Sequence, residues 1–208
     1  MSGDYETLAK NQPDIYYTKS SSNMKQIFSN QFYYQFKMPD FDILKERLET
    51  IEKFDDGDFT WGELCKIERD SYNVNDFFDI LVKPVGMLSG QLGVKFNAKI
   101  SHPWLNRYDR GGFQEIHYHD DCDIAAVVFL NDGEDFSKFY FWDSNHTAFT
   151  KPWIKILTQM KLSNIYYPEV KAGDVLLFPS HMLHGVSPHN SDTIRKTFSF
   201  NVVVTNVE

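Results

Sequence analysis

GGFQEIHYHDD, residues 111–121, is the stretch from which the fold can be read. His117 and His119 stand two apart within a strand-like run. Alternate residues of a β-strand point to the same face, so both imidazoles can converge on one metal ion. Asp121 continues the same phase if the strand runs that far. A later run, GDVLLFPSHMLHGVSPHN (173–190), supplies His181, His184 and His189 on a second strand and its turn. A lone histidine on a strand is most often a satisfied core residue or faces solvent, and His102, His146 and His189 are read that way. A pair at strand spacing, joined by a distant His184 in a run bounded by Gly and Pro, is different. Imidazole and carboxylate without thiolate suit iron(II), zinc or manganese.

Outward from these runs, the chain beyond residue 94 breaks into short segments rich in β-branched and aromatic residues: VKFNAKI, FQEIHYH, IAAVVFL, KFYFW, IYYPEV, DVLLF and RKTFSFNVVV. Turn residues such as Asn131-Asp132-Gly133 separate them, the spacing of an all-β sandwich or barrel. The stretch 143–164 interrupts this rhythm with Trp153, Ile154 and Leu157 at near-helical steps, and its length marks it as a lid or binding loop on the substrate side. Upstream, QFYYQFKM (31–38) reads as a strand. Pro39-Asp40 then opens a helix with Phe41, Leu44, Leu48 and Ile51 at steps of three and four. A second helix begins near Asn75 and carries Phe77, Phe78, Leu81 and Leu88, with Pro84 expected to break or restart it. Residues 1–25 are polar and lack a sustained period, which predicts a flexible arm ahead of a single domain at 26–208. Within that domain, 26–93 is a helical support region and 94–208 the β core.

The chain has 208 residues, 42% of them hydrophobic and 16% aromatic, enough to bury a full core. A formal charge of −8 argues against binding nucleic acid through its phosphates, which takes clustered Lys and Arg. Cys65 and Cys122 are the only cysteines, and with no signal peptide ahead of them they read as reduced thiols in a cytoplasmic protein. No apolar run approaches the roughly 18 residues of a membrane span. Oligomeric state leaves no mark in the sequence.

Two spacings carry a resemblance. Gly111 precedes His117 by six positions; Gly173 precedes Pro179 by six, and His184 follows five later. These resemble the paired motifs of the cupin superfamily, in which the first Gly turns the chain into the metal-bearing strand and the later Gly-Asp begins the strand leading to the third ligand. The implied fold is mainly β, a double-stranded β-helix or jelly roll, with the N-terminal helices packed on one sheet. Within such folds the chain resembles the iron(II)- and 2-oxoglutarate-dependent oxygenases, and among them a prolyl-hydroxylase-like group with bacteriophage members. That likeness rests on Trp104-x-Asn106, on Gly111 followed by His117-Tyr118-His119, on residues 173–190 and on RKTFSFN (195–201).

The resemblance implies a dioxygenase that hydroxylates a C–H bond of a protein side chain or small molecule, using Fe(II), O2 and 2-oxoglutarate, which it decarboxylates to succinate. Two close ligands and His184 would leave three metal positions for cosubstrate and oxygen. Arg195 would pair bidentately with the far carboxylate of 2-oxoglutarate, with Thr197 as hydroxyl partner and Asn106 and Tyr108 nearby. Strand alternation puts Arg195, Thr197 and Ser199 on one face. Two registers stay open for the close pair: His117 with His119, favoured by the distance from Gly111, or His119 with Asp121, which restores the His-x-Asp usual in these oxygenases. Tyr118, Tyr140 and Trp142 are candidate pocket residues. Ala125-Ala126 replaces the Ser-Gly of the group and Asp120 its Pro. A cupin-like metal enzyme that does not use 2-oxoglutarate and a metal-free ligand-binding module are the competing readings.

Overall fold

A computed structural model describes residues 24–28, 31–53, 65–101, 103–144 and 163–207. Its first elements are β1 (Met24–Phe28), β2 (Gln31–Lys37), α1 (Phe41–Thr50), β3 (Ile67–Ser71) and α2 (Phe78–Leu92), the last entered through a 3-10 turn at Val74–Asp76. The β core follows: β4 (Phe96–Ile100), β5 (Trp104–Tyr108), β6 (Gln114–His117), β7 (Ile124–Phe129), β8 (Phe139–Trp142), β9 (Ile165–Tyr166), β10 (Asp174–Pro179), β11 (His184–Val186) and β12 (Arg195–Val207). The strands pair antiparallel in two sheets. The larger runs β1-β2-β10-β7-β12-β5-β3, with β4 also on β12; the smaller runs β6-β11-β8-β9. The core is a double-stranded β-helix.

Strand alternation builds two apolar layers. On β10, Val175 and Leu177 face one way and Leu176 and Phe178 the other, all at most 1% exposed. The first pair joins Phe198, Phe200 and Val202 of β12 and Leu44, Ile80, Leu81 and Leu88 of the helices. The second pair joins Phe129 with Phe139, Phe141 and Val186 of the smaller sheet, so this layer lies between the sheets. The helices therefore cover the outer face of the larger sheet, as their periodicity requires. Arg47–Asp79 and Lys83–Asp40 ion pairs tie α1 to α2.

Several expectations need correction. Pro84 does not break α2, which runs through it. The missing N–H removes one helical bond, but Pro84 is itself buried between Leu81 and Val85, and packing of that face holds the helix together. Residues 24 and 25 of the expected arm pair with β2 as part of β1; the rest of the arm lies outside the described residues. The lid expected at 143–164 also falls largely on undescribed residues; its ends are joined by Asp143 N–H donating to Asn164 O at 2.8 Å. Among the described residues no helix is long and apolar enough to cross a membrane.

Candidate metal and cosubstrate site

Both motif glycines have positive φ, 84° at Gly111 and 83° at Gly173, where a β-carbon would strain the backbone. The first turns the chain into β6; the second starts the strand that leads towards β11. These two strands pair antiparallel with His184 directly opposite His117. Close residues in space are thus drawn from positions 67 apart in sequence. β6 ends at His117, so His119 lies beyond the strand, tied by its N–H donating to Ser180 O at 3.0 Å. The strand does not run on to Asp121.

One nitrogen from each of His117, His119 and His184 lies within 4.8 Å of the other two. Asp121 falls in a different group, with His119 and Cys122, and is exposed. The ring of His184 is parallel to that of His119, 7° between planes at 5.3 Å. Two of the rings are fixed by backbone carbonyls: His117 Nδ1 donates to Glu115 O at 2.7 Å and His184 Nδ1 to Met182 O at 2.8 Å. That tautomer leaves Nε2 bare, the form in which an imidazole ligates. Burial pushes all three imidazoles below the ordinary histidine range, His119 to about 4, with repulsion from His117 contributing there and at His184. They are neutral at pH 7. Three neutral nitrogens converging within a few ångströms fit a divalent first-row metal ion.

The group opens onto a cavity of about 230 Å³ between the sheets. Its far wall is β12, whose Arg195, Thr197, Ser199 and Asn201 alternate inward, with Asn106 and Tyr108 of β5 beside them. Arg195 is 4% exposed. Its guanidinium lies 4.9 Å from the centre of the Tyr108 ring and 5.5 Å from that of Phe129, and no carboxylate of the described residues is within ion-pair distance. Among the described residues, Nη1 of Arg195 and Oδ1 of Asn106 have no hydrogen-bond partner. Burial pulls the Arg195 pKa down, with the Tyr108 hydroxyl opposing. A buried cation lacking an anion is costly unless a ligand completes it. A dicarboxylic acid with one end at Arg195 fits this cavity chemically.

Residues 102–201 match the family model described as "Putative 2OG-Fe(II) oxygenase". This segment, just under half of the chain, is similar to the 2OG-Fe(II) oxygenases. Iron(II), 2-oxoglutarate and O2 are the cofactor and cosubstrates of that family. Solved structures show the same fold. An oxidoreductase of the 2OG-Fe(II) oxygenase family from Burkholderia pseudomallei matches at 11% identity and TM-score 0.59, over 82% of this chain and 84% of that one. HygX from Streptomyces hygroscopicus, with nickel and 2-oxoglutarate bound, matches at 14% and 0.55, over 83% of each chain. A Pseudomonas putida prolyl-4-hydroxylase matches at 14% and 0.51, over 84% and 93%. None of the curated proteins matches the chain.

Of the candidate pocket residues, Tyr118 lines the cavity at its rim and is 58% exposed. Tyr140 and Trp142 do not line it. On β8 the residues in phase with the cavity are Phe139 and Phe141; Tyr140 faces the other way and stands 5.9 Å from Tyr167. His189 has the structural role expected of it: Nδ1 accepts from Ser137 N–H and Nε2 donates to Thr193 O. His181 is exposed, and His102 and His146 lie outside the described residues. The sequence reading missed Arg69, Gln114 and Asn201, which also line the cavity. Arg69 packs over Trp104 at 4.6 Å, and Trp104 in turn stacks on His119. Asn201 could have been found by carrying the alternation of Arg195, Thr197 and Ser199 one step further.

Proposed function

We propose that this protein is an oxygenase that holds iron(II) through His117, His119 and His184 and clamps 2-oxoglutarate at Arg195, to hydroxylate a C–H bond of a small molecule or a peptide side chain. The observation that carries this reading is Arg195, a buried guanidinium with an unpartnered Nη1, in the cavity that the three imidazoles open onto. Arg195 would bind the far carboxylate of 2-oxoglutarate, with Thr197 (2% exposed) and Asn106 supplying polar contacts alongside. Phe139 and Val186 line the inner part and exclude water there. Bound iron supplies the oxidative chemistry on O2 coupled to 2-oxoglutarate decarboxylation. Substrate would enter at the rim, where Tyr118, Asp120 and Asp121 stand.

In this reading 26–208 is one oxygenase domain whose segment 26–93 adds strands to the larger sheet and covers its outer face with two helices. Two free thiols, Cys65 buried and Cys122 half-buried, accord with a cytoplasmic enzyme. The test is anaerobic calorimetry with iron(II) followed by 2-oxoglutarate. Wild type should bind one of each, His184→Ala should lose iron, and Arg195→Met should keep iron while 2-oxoglutarate affinity falls on the order of 100-fold, as for removal of one partner of a buried charge pair. Unchanged 2-oxoglutarate affinity in Arg195→Met would sink the clamp.

A further inference from the structure

Asn201 stands where the inward row of β12 reaches His119. Its side chain is 7% exposed, with Nδ2 3.2 Å from His119 Nδ1 and Oδ1 without a hydrogen-bond partner among the described residues. The backbone around it is fixed: Asn201 N–H donates to Ser101 Oγ, and Ser101 N–H to Asn201 O, both at 2.9 Å. Ala125 is its partner on β7. The side chain therefore has little freedom except rotation of its terminal amide.

His119 differs from its two neighbours in what its Nδ1 meets. A backbone carbonyl can only accept, so His117 and His184 carry their proton on Nδ1 whatever else binds. An amide can do either. With Nδ2 forward, it donates, Nδ1 of His119 is bare, and the proton sits on Nε2, where it blocks ligation. With Oδ1 forward, Nδ1–H donates, Nε2 is bare, and the amide oxygen gains the donor it lacks. The two orientations have nearly the same shape and select opposite tautomers of one ring.

We propose that Asn201 is a positioning residue of the metal centre, its amide making a half-turn when metal binds so that His119 shifts from the Nε2–H to the Nδ1–H tautomer. This rests on His119 being a metal ligand. Metal loading then carries a local rearrangement at one ligand of three, while the other two are ready in advance.

The test uses the full chain with cobalt(II) and zinc(II) as probes. Ring ¹⁵N chemical shifts of His119 should report Nε2–H in the metal-free protein and Nδ1–H with zinc; Nδ1–H in both states overturns the half-turn. Asn201→Leu should weaken cobalt(II) binding, read from its visible absorption, by about 10- to 100-fold, the usual cost of losing a residue that orients a ligand. Asn201→Asp, which can only accept, should restore it. Should Asn201→Leu fold poorly, the Asn201→Asp variant and the wild-type shifts still decide, because an Asp variant binding far more weakly than wild type contradicts the accepting role. His119→Ala separates the two levels. If it loses cobalt while Asn201→Leu does not, the positioning role falls and the ligand stands; if His119→Ala binds cobalt as wild type does, the ligand assignment itself falls.

Discussion

On the outer side of β12, Phe198, Phe200 and Val202 are fully buried against the helices; on its inner side, Arg195, Thr197, Ser199 and Asn201 are buried nearly as deeply, at 2–7% exposure. One strand thus presents two interiors of similar dryness and opposite chemistry. The outer face gains from burial, because each apolar side chain leaves water without losing a hydrogen bond. The inner face costs stability, because polar atoms such as Arg195 Nη1 and Asn201 Oδ1 are desolvated without a partner. Depth of burial therefore does not distinguish residues that hold the fold from residues that serve the site; hydrogen-bond satisfaction does.

Breaking the outer face should have the largest effect. Phe198→Ala should cost about 3–5 kcal/mol by urea denaturation, the usual range for a fully buried phenylalanine. Because its side chain is remote from the cavity, any metal that the surviving folded protein binds should be held with wild-type affinity. The inner face should respond the opposite way. Arg195→Met, expected to weaken 2-oxoglutarate binding as above, should leave the ligand-free protein as stable as wild type or more so, since it removes an uncompensated buried charge. A destabilised Arg195→Met would make the guanidinium a structural residue and erase the contrast.

A pH series sharpens the comparison further. Below about pH 6.5 the unfolded chain protonates its histidines, while burial keeps folded His119 neutral down to about 4 and holds His117 and His184 below their ordinary value. The unfolded state then binds more protons, so stability of the metal-free protein should fall as pH drops through that window. Denaturation midpoints that stay flat from pH 6.5 to 4 would contradict buried neutral imidazoles. The smallest effect should come from Tyr140→Phe. Tyr140 faces away from the cavity, so 2-oxoglutarate and metal affinity should not change and stability should shift by less than about 0.5 kcal/mol.

The elements of this site legible in sequence were those marked by period and spacing. Period 2 put Arg195, Thr197 and Ser199 on one face, and the two glycines with His117, His119 and His184 pointed to a β-helix core. What escaped depended on pairing between distant segments. Arg69 reaches the cavity only because β3 lies at the edge beside β5, a pairing over some 35 residues that no local pattern announces. The phase of β8 was equally hidden, since Phe139, Tyr140, Phe141 and Trp142 are all aromatic and alternation cannot be seen in a run without polar residues. Pro84 was misread because the packing of α2 outweighs a local rule. His119 was placed inside a strand that ends two residues earlier; its position is set by Ser180, again from far along the chain.

The facing of His117 and His184 across β6 and β11 carries a consequence for assembly of the fold. Side chains on paired strands reverse face with each one-residue slip, and β11 is only three residues long with an irregularity in its register. A slipped pairing would turn His117 away from His184 and scatter the nitrogens. The proposed ion would therefore bind only the correctly aligned chain, and by mass action draw the population towards it. The metal would act as a proofreader of strand alignment before it takes any part in chemistry.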